Sequence, residues 1–190
     1  MPPRPGSATD LVPPALPHVV HARDHPSNAI AAAVARGALM RVGRGTYLPT
    51  TDVSPRAEAL ARVIGTHARV ATDHVFSHAT AAMLHGLPLW RTPGRTHVRM
   101  AVTGGGRRDP LVVRHRGIPG DGVVDVLGLP CTDLERTTWD CLLSLPALDG
   151  LVVTDAAVRA GVSVDALLDR ANRSARVRGV PRARAVLAHA

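Results

Sequence analysis

The sequence centres on one stretch near its middle, SHATAAMLHGLPLW (Ser77–Trp90). Ser77 can cap a helix through its hydroxyl, and the pattern predicts that helix over His78–His85. Gly86 then supplies a left-handed exit, and Pro88 prevents the helix from continuing. Because most residues within the helix are small, neighbouring elements can approach it closely. We therefore expect this segment to be buried on most sides and to organise the fold around it.

The composition fits one medium domain or two small ones. Of 190 residues, 45% are hydrophobic and only 2% are aromatic, so Leu, Val and Ala must fill the core. No apolar run is long enough for a membrane span, and the Pro-rich start lacks the apolar core of a signal peptide. Cys131 and Cys141 are interpreted as buried thiols in a reducing compartment. These features predict a cytoplasmic protein with no membrane partner.

The charge is strongly positive. The formal net charge is +8, and all 23 basic residues are arginine. Such a balance favours a nucleic acid or an acidic protein as partner. An ordinary solvated surface, enriched in arginine by a GC-rich genome, is the alternative interpretation of the composition.

The N-terminal part of the chain predicts a helix followed by a basic hairpin. Residues 1–17 are Pro-rich and predicted to be disordered, and His18–His25 is predicted to form a short helix. Ser27 is a candidate cap for a helix over Asn28–Arg36. Two short strands then flank a Gly-Arg-Gly turn at 43–45. A helix, a glycine stop and a basic hairpin are together the closing half of a winged helix.

The rest of the chain predicts a mixture of helices and strands. Ser54 and Pro55 begin an amphipathic helix, and Thr132 and Glu135 form a capping box that begins another. The predicted strands are Thr96–Val102, Leu111–Arg116 and Val123–Leu127, and further helices are predicted at Leu151–Arg159, Val164–Ala171 and from Pro181 onward. The run Gly104–Arg108 is interpreted as a hairpin loop, with a phosphate-binding loop as the alternative.

Three blocks resemble the AbiEi-like antitoxins of type IV toxin–antitoxin systems. They are ARGALMRVGRGTYLPT (Ala35–Thr50), SHATAAMLHGLPLW (Ser77–Trp90), and VVDVLGLPCTDLERTTWD (Val123–Asp140) followed by VVTDAAVRAGVSVDALL (Val152–Leu168). Their order and spacing carry the resemblance, since none of them is a catalytic signature.

The resemblance implies an α+β fold. A small winged helix over 18–51, reduced because the Pro-rich start leaves room for barely one earlier helix, would precede a mixed helical and antiparallel-sheet AbiEi-like domain over 54–190. It also implies an antitoxin that represses its own operon and counteracts a nucleotidyltransferase-like toxin. Double-stranded DNA and that toxin are the expected partners. Because the predicted helix Asn28–Arg36 is mostly alanine and offers few side chains for base readout, a homodimer on a repeated site, or binding dominated by phosphate contacts, is expected in preference to a strongly sequence-specific monomer. The Vsr-like endonuclease domain of some relatives is not expected within these 190 residues.

Two groups of residues are the candidate binding sites. The DNA-binding candidates lie in the predicted helix and hairpin: Ser27, Asn28, Arg36, Arg41 and Arg44. The partner- or phosphate-binding candidates form a basic segment without Asp or Glu, predicted to be mostly helical and exposed: Arg170, Arg173, Arg176, Arg178, Arg182 and Arg184.

Catalysis and metal binding are not predicted. His74 and His78 have a spacing that would share a helix face, but His74 precedes the predicted helix and no further ligand motif accompanies them. Arg136 and Asp140 are expected to pair across one helical turn. We therefore predict no enzyme activity, no cofactor and no metal. A protein-interaction or nucleic-acid-targeting module without a toxin partner is the main rival function, and an enzyme that uses the His-rich surface is a weaker one.

Overall fold

A computed structural model describes residues 11–101, 109–118, 120–174 and 176–190. The first ten residues of the Pro-rich start lie outside the described residues. So does the run Gly104–Arg108, with its predicted turn and its phosphate-binding alternative.

The protein has a mixed α+β fold, as predicted. The described helices are α1 (Ser27–Ala35), α2 (Pro55–Arg69), α3 (His78–Leu84), α4 (Leu134–Ser144), α5 (Ala147–Arg159), α6 (Val164–Arg173) and α7 (Val180–Leu187). The described strands are β1 (Val20–His21), β2 (Leu39–Gly43), β3 (Thr46–Pro49), β4 (His74–Phe76), β5 (Thr96–Met100), β6 (Val112–Arg116), β7 (Val123–Val126) and β8 (Leu129–Thr132). They form one sheet of three strands and one of five. None of the described helices combines the length and the apolar character that a membrane crossing requires.

The chain divides into two compact units. Residues 15–74 and 92–118 form one, here called the hairpin unit. The other, here called the helical unit, comprises 75–91 and the described parts of 1–14 and 119–190.

The hairpin unit is built on an antiparallel sheet with the order β1-β3-β2. Helix α2 begins as predicted, with the Ser54 hydroxyl accepting a hydrogen bond from the Ala57 amide at 3.1 Å and proline in the first turn. Its Ala61 packs with Val42 and Leu48 in one buried cluster. The unit that contains the hairpin therefore extends past the boundary expected near Thr51.

The segment before α1 differs from the prediction. Instead of a helix over His18–His25, Val20 and His21 pair with Tyr47 and Thr46, and only a 3-10 turn follows at Ala22–Asp24. Pairing with β3 overrides the local pattern, because each strand residue then gains a hydrogen-bonding neighbour from a distant part of the chain.

Ser27 is also not the cap of α1. Pro26 occupies the cap position, and Ser27 is the first helical residue. Proline needs no amide partner at a helix start, so the helix can begin one residue earlier than expected.

Strands β5 and β6 of the hairpin unit are parallel, with Thr96 opposite Val112 and Met100 opposite Arg116. The antiparallel arrangement expected for the sheet was therefore wrong for this pair of strands. The predicted alternation along β5 is confirmed, since Val98 and Met100 are buried while the side chains between them are half-buried.

The helix of the central stretch is buried in the helical unit, as predicted, whereas Pro88 and Trp90 near the end of the stretch are exposed. Every residue of α3 is buried, and Gly86 takes the expected left-handed conformation at φ 80°. The capping prediction was wrong: the Ser77 hydroxyl bonds His78 Nδ1 at 2.9 Å and accepts nothing from the helix backbone. His78 itself has a φ of 55°, which is uncommon for a residue with a side chain.

Strand β8 was not predicted. Leu127 and Gly128, at φ 60° and 77°, form a tight turn that returns the chain antiparallel to β7.

The capping box was wrong by one residue. Asp133 caps α4 by accepting from the Arg136 amide at 2.7 Å, whereas the Thr132 hydroxyl lies 2.7 Å from that of Thr137. The predicted Arg136–Asp140 pair is confirmed at 3.0 Å.

The last two helices are packed and not a largely exposed segment. Their buried residues join Trp139 and Leu142 of α4 in one cluster: Leu167, Ala171, Val180, Ala183, Val186 and Leu187.

Near the start of the chain, Leu11 packs against a second cluster that contains Ala82, Cys141 and Val153. The described part of the Pro-rich start, 11–17, has no helix or strand.

Candidate nucleic-acid interface

The β2–β3 hairpin presents an exposed basic surface. Arg41 and Arg44 are both exposed, and Arg41 donates through Nε to the Gly43 carbonyl at 3.2 Å. This bond uses one of the five N–H donors of the guanidinium group. The sequence has no Asp or Glu between Asp24 and Asp52. The positive potential of the hairpin is therefore not reduced by acidic neighbours in sequence.

Helix α1 lies directly before the hairpin and buries only one side. Ile30 and Ala33 face the core, so helical spacing places Asn28, Ala31 and Ala35 on the outer side, and all three are exposed. The Asn28 side chain accepts from the Ala29 amide at 2.9 Å. The outer face is thus small and mostly apolar, with one amide group near its start.

The remaining predicted DNA-binding residues flank this face. Ser27 is exposed at the first position of α1, and Arg36 is exposed at its C-cap. All five predicted residues therefore belong to the hairpin unit and are accessible.

Arg69 at the end of α2 fixes the tip of the hairpin, and no sequence pattern signalled this role. Its Nη1 donates to the Arg44 carbonyl at 3.3 Å, and its Nη2 lies 2.8 Å from Asp109 Oδ2. Asp109 in turn accepts from the Leu111 amide at 3.0 Å through its other oxygen. Arg69 therefore ties the hairpin turn to the segment that enters β6.

A cavity of about 1280 Å³ opens within the hairpin unit. Its aliphatic lining includes Val42, Val98, Met100, Leu111 and Val112. Its charged lining consists of four arginines and two aspartates: Arg41, Arg44, Arg69, Arg114, Asp73 and Asp109. No local motif predicts the cavity, because its lining residues come from four separate segments of the chain.

Two pairs of histidines lie in contact within the hairpin unit. His67 Nδ1 is 3.0 Å from His74 Nε2, and His97 Nδ1 is 3.0 Å from His115 Nε2. His74 also bonds the Thr72 carbonyl at 2.9 Å. Each pair brings two imidazole nitrogens, which are common metal ligands, next to each other.

The structure separates the six C-terminal arginines into two groups. Arg170 lies 3.3 Å from Glu135, Arg182 donates to the Leu143 carbonyl at 2.5 Å, and Arg184 donates to Asn172 Oδ1 at 3.1 Å. These three connect helices within the helical unit. The others are exposed and are here called the outer C-terminal arginines: Arg173, Arg176 and Arg178.

Both cysteines are buried free thiols, as predicted. Burial, and next the negative charge of Asp125, raises the pKa of Cys131 to about 12. Burial and the charge of Asp140 raise the pKa of Cys141 even further. Both thiols are therefore protonated and poorly nucleophilic near neutral pH.

Comparison with known proteins finds a likeness at the level of structure. No protein-family profile matches the chain, and no curated protein matches it. Among solved structures, the chain is similar to the RV2827C protein from Mycobacterium tuberculosis, with a TM-score of 0.49 and 20% sequence identity. The match covers 90% of this chain and 76% of that one.

Proposed function

We propose that this protein binds double-stranded DNA through helix α1 and the β2–β3 hairpin, and that it acts as an autorepressing antitoxin. The observation that carries the DNA-binding part is the pair of exposed arginines on a hairpin that directly follows an exposed helix. Guanidinium groups suit phosphate oxygens, which they bind bidentately. An arginine at a hairpin tip can also enter a minor groove.

The topology supports interpreting this region as a reduced winged helix. In the order β1-β3-β2, the strand before the helix pairs with the second hairpin strand. In the described chain, the 3-10 turn at Ala22–Asp24 is the only helical element before α1. Because Arg69 holds the Arg44 carbonyl, the hairpin tip is positioned before any ligand arrives, which reduces the entropy lost on binding.

Helix α1 would read few bases. Asn28 is the one outer side chain that can bond an adenine edge, and the alanine methyl groups can contact thymine methyl groups. Phosphate contacts would then supply most of the affinity, and a homodimer on a repeated site would supply specificity. We infer a preference for A·T-containing half-sites.

The antitoxin part of the proposal rests on the resemblance to AbiEi-like proteins. It assigns a nucleotidyltransferase-like toxin as partner and the chain's own operator as the DNA target. Among the exposed cations of the helical unit, the outer C-terminal arginines suit an acidic toxin surface. Growth of cells that co-express this chain with the product of its neighbouring gene, followed by a pull-down, tests this part.

The DNA-binding part is tested by mobility shift on the region upstream of the gene. Arg41→Ala combined with Arg44→Ala should weaken binding and lower the slope of log affinity against log salt by about two, because each lost phosphate contact removes about one. A control variant with the same charge change combines Arg56→Ala with Arg95→Ala, which are exposed in the same unit but lie outside the hairpin.

The comparison between these two variants decides the proposal. The control should keep nearly the full salt slope. Equal losses in both variants would mean that net charge alone attracts the DNA, and an unchanged shift in the hairpin variant would remove the hairpin from the interface.

A further inference from the structure

The cavity of the hairpin unit has a chemistry that duplex binding does not use. Its lining includes aliphatic side chains that solvent reaches, among them Leu111 and Val112, and these are here called its aliphatic floor. Arginines surround this floor on three segments: the hairpin, the end of α2 and strand β6. Ligand cavities in proteins combine an apolar lining with a few polar groups in the same way.

The charges of the lining favour an anion. Four guanidinium groups stand against two carboxylates, and one of those carboxylates, Asp109, already lies 2.8 Å from Arg69. The remaining carboxylate, Asp73, is exposed to solvent, where its charge is screened. A phosphate group would therefore find a positive potential and several N–H donors.

A stacked duplex does not use the aliphatic floor. Its bases are paired and stacked, so it can reach Arg41 and Arg44 but cannot place the face of a base on Leu111 or Val112. A ligand that uses both the arginines and the floor must join phosphate to an unstacked, flat and weakly polar group. At about 1280 Å³, the cavity exceeds the volume usual for small-molecule sites and accommodates a ligand of nucleotide size.

We propose that this cavity binds a nucleoside phosphate, either free or at the end of a single strand, with its phosphates on the arginines and its base on the aliphatic floor. Arg114 and Arg69 would hold the phosphates together with the hairpin arginines. This site overlaps the duplex-binding surface at Arg41 and Arg44 and extends beyond it to Arg69, Arg114 and the aliphatic floor. If the proposed function holds, the nucleotide and the duplex compete for those two side chains.

Calorimetric titration of the purified full chain tests the proposal with four probes: ADP, adenosine, inorganic phosphate and a 5′-phosphorylated single-stranded trinucleotide. ADP or the trinucleotide should bind at least about tenfold more tightly than adenosine or phosphate alone, because charge-assisted hydrogen bonds and apolar contact then act together. A preference for ADP identifies the free nucleotide, and a preference for the trinucleotide identifies a strand end. Binding of inorganic phosphate as tight as that of ADP would overturn the assignment of the floor, and no binding of either nucleotide probe would overturn the site.

Variants separate this site from the duplex surface. Arg114→Ala should weaken ADP binding by about tenfold or more while leaving the mobility shift of duplex DNA unchanged. Arg114→Lys keeps the charge but loses the bidentate geometry, so its affinity for ADP should lie between those of Arg114→Ala and the wild type. Arg95→Ala should bind ADP as tightly as the wild type. Circular dichroism confirms folding in each case. Equal loss of ADP binding in Arg114→Ala and Arg95→Ala would overturn the site. If the hairpin variant lost duplex binding but kept ADP binding, only the claim that Arg41 and Arg44 contact both ligands would be refuted.

Failure of the two proposals gives different results. ADP binding without any duplex shift would refute the proposed function and leave the cavity assignment standing. A mobility shift of duplex DNA without nucleotide binding would refute the cavity assignment and leave the proposed function standing.

Discussion

At the scale of single residues, the close packing of helix α2 on strand β3 depends on Gly65. A Cβ atom at this position would lie 2.8 Å from the Cβ of Thr46, and still closer to the other side-chain atoms of that residue. Thr46 is only 1% exposed and has no room to move away. Gly65→Ala should therefore destabilise the protein by about 1–3 kcal/mol through overpacking, which exceeds the gain of about 1 kcal/mol in helix propensity. Denaturant unfolding measures the change.

Gly150 provides the matched control for this prediction. It lies within α5, and a methyl group added there would have Leu142 Cδ2 as its nearest neighbour, 4.0 Å away. Gly150→Ala should stabilise the protein by roughly 0.5–1 kcal/mol, because only the propensity term acts. Two variants with the same sign of stability change would contradict the packing argument.

The two buried thiols lead to a prediction about reactivity. A thiol with the ordinary pKa of 9.0 is half ionised at pH 9, whereas a pKa of about 12 leaves about one thiolate in a thousand at Cys131. Because the thiolate is the nucleophile, alkylation by iodoacetamide at pH 9 should be slow in the native protein and complete in guanidinium. Mass spectrometry counts the modified sites, and rapid native labelling at Cys131 or Cys141 would show that the thiols are accessible.

At the scale of elements, α1 is a helix whose outer face carries almost no polar groups. Its exposed alanines can only contribute apolar contacts, and each thymine methyl that they bury is worth about 0.8 kcal/mol, or roughly a fourfold change in affinity. Replacing thymine by uracil within the protected site should weaken binding by about that factor for each contacted base. The same replacement outside the footprint should have no effect. If replacing thymine by uracil changed the affinity at no position within the footprint, α1 would not enter the major groove.

The elements also show why local patterns misled in specific places. Val20 and His21 became a strand because β3 offers them backbone partners, and no pattern within His18–His25 contains that information. Asp133, and not Thr132, caps α4, because the Thr132 hydroxyl forms its hydrogen bond with Thr137. In contrast, Ser54 with Pro55 predicted the start of α2 correctly, because both capping partners lie within one helical turn.

At the scale of the whole molecule, the positive charge occurs on two units that can serve two partners. The hairpin arginines belong to the hairpin unit, and the outer C-terminal arginines belong to the helical unit. We expect the triple change Arg173→Ala, Arg176→Ala and Arg178→Ala to reduce rescue from the toxin while retaining most of the operator shift. The hairpin variant should show the opposite pattern. Loss of both activities in each variant would mean that the two surfaces act as one.

The sequence by itself determined the α+β class, the helix and hairpin near the N-terminus, the burial of the central helix, and the exposure of Arg41 and Arg44. These features depend on interactions between residues close in the chain: helical periodicity, glycine turns and caps. Only the tertiary structure decided that β5 and β6 run parallel, that Arg69 holds the hairpin tip, and that Arg170 and Arg182 tie helices together. It also decided that arginines and aliphatic residues from four segments line one cavity. The physical reason is that hydrogen bonds and packing between distant segments select among partners that local sequence leaves equally available.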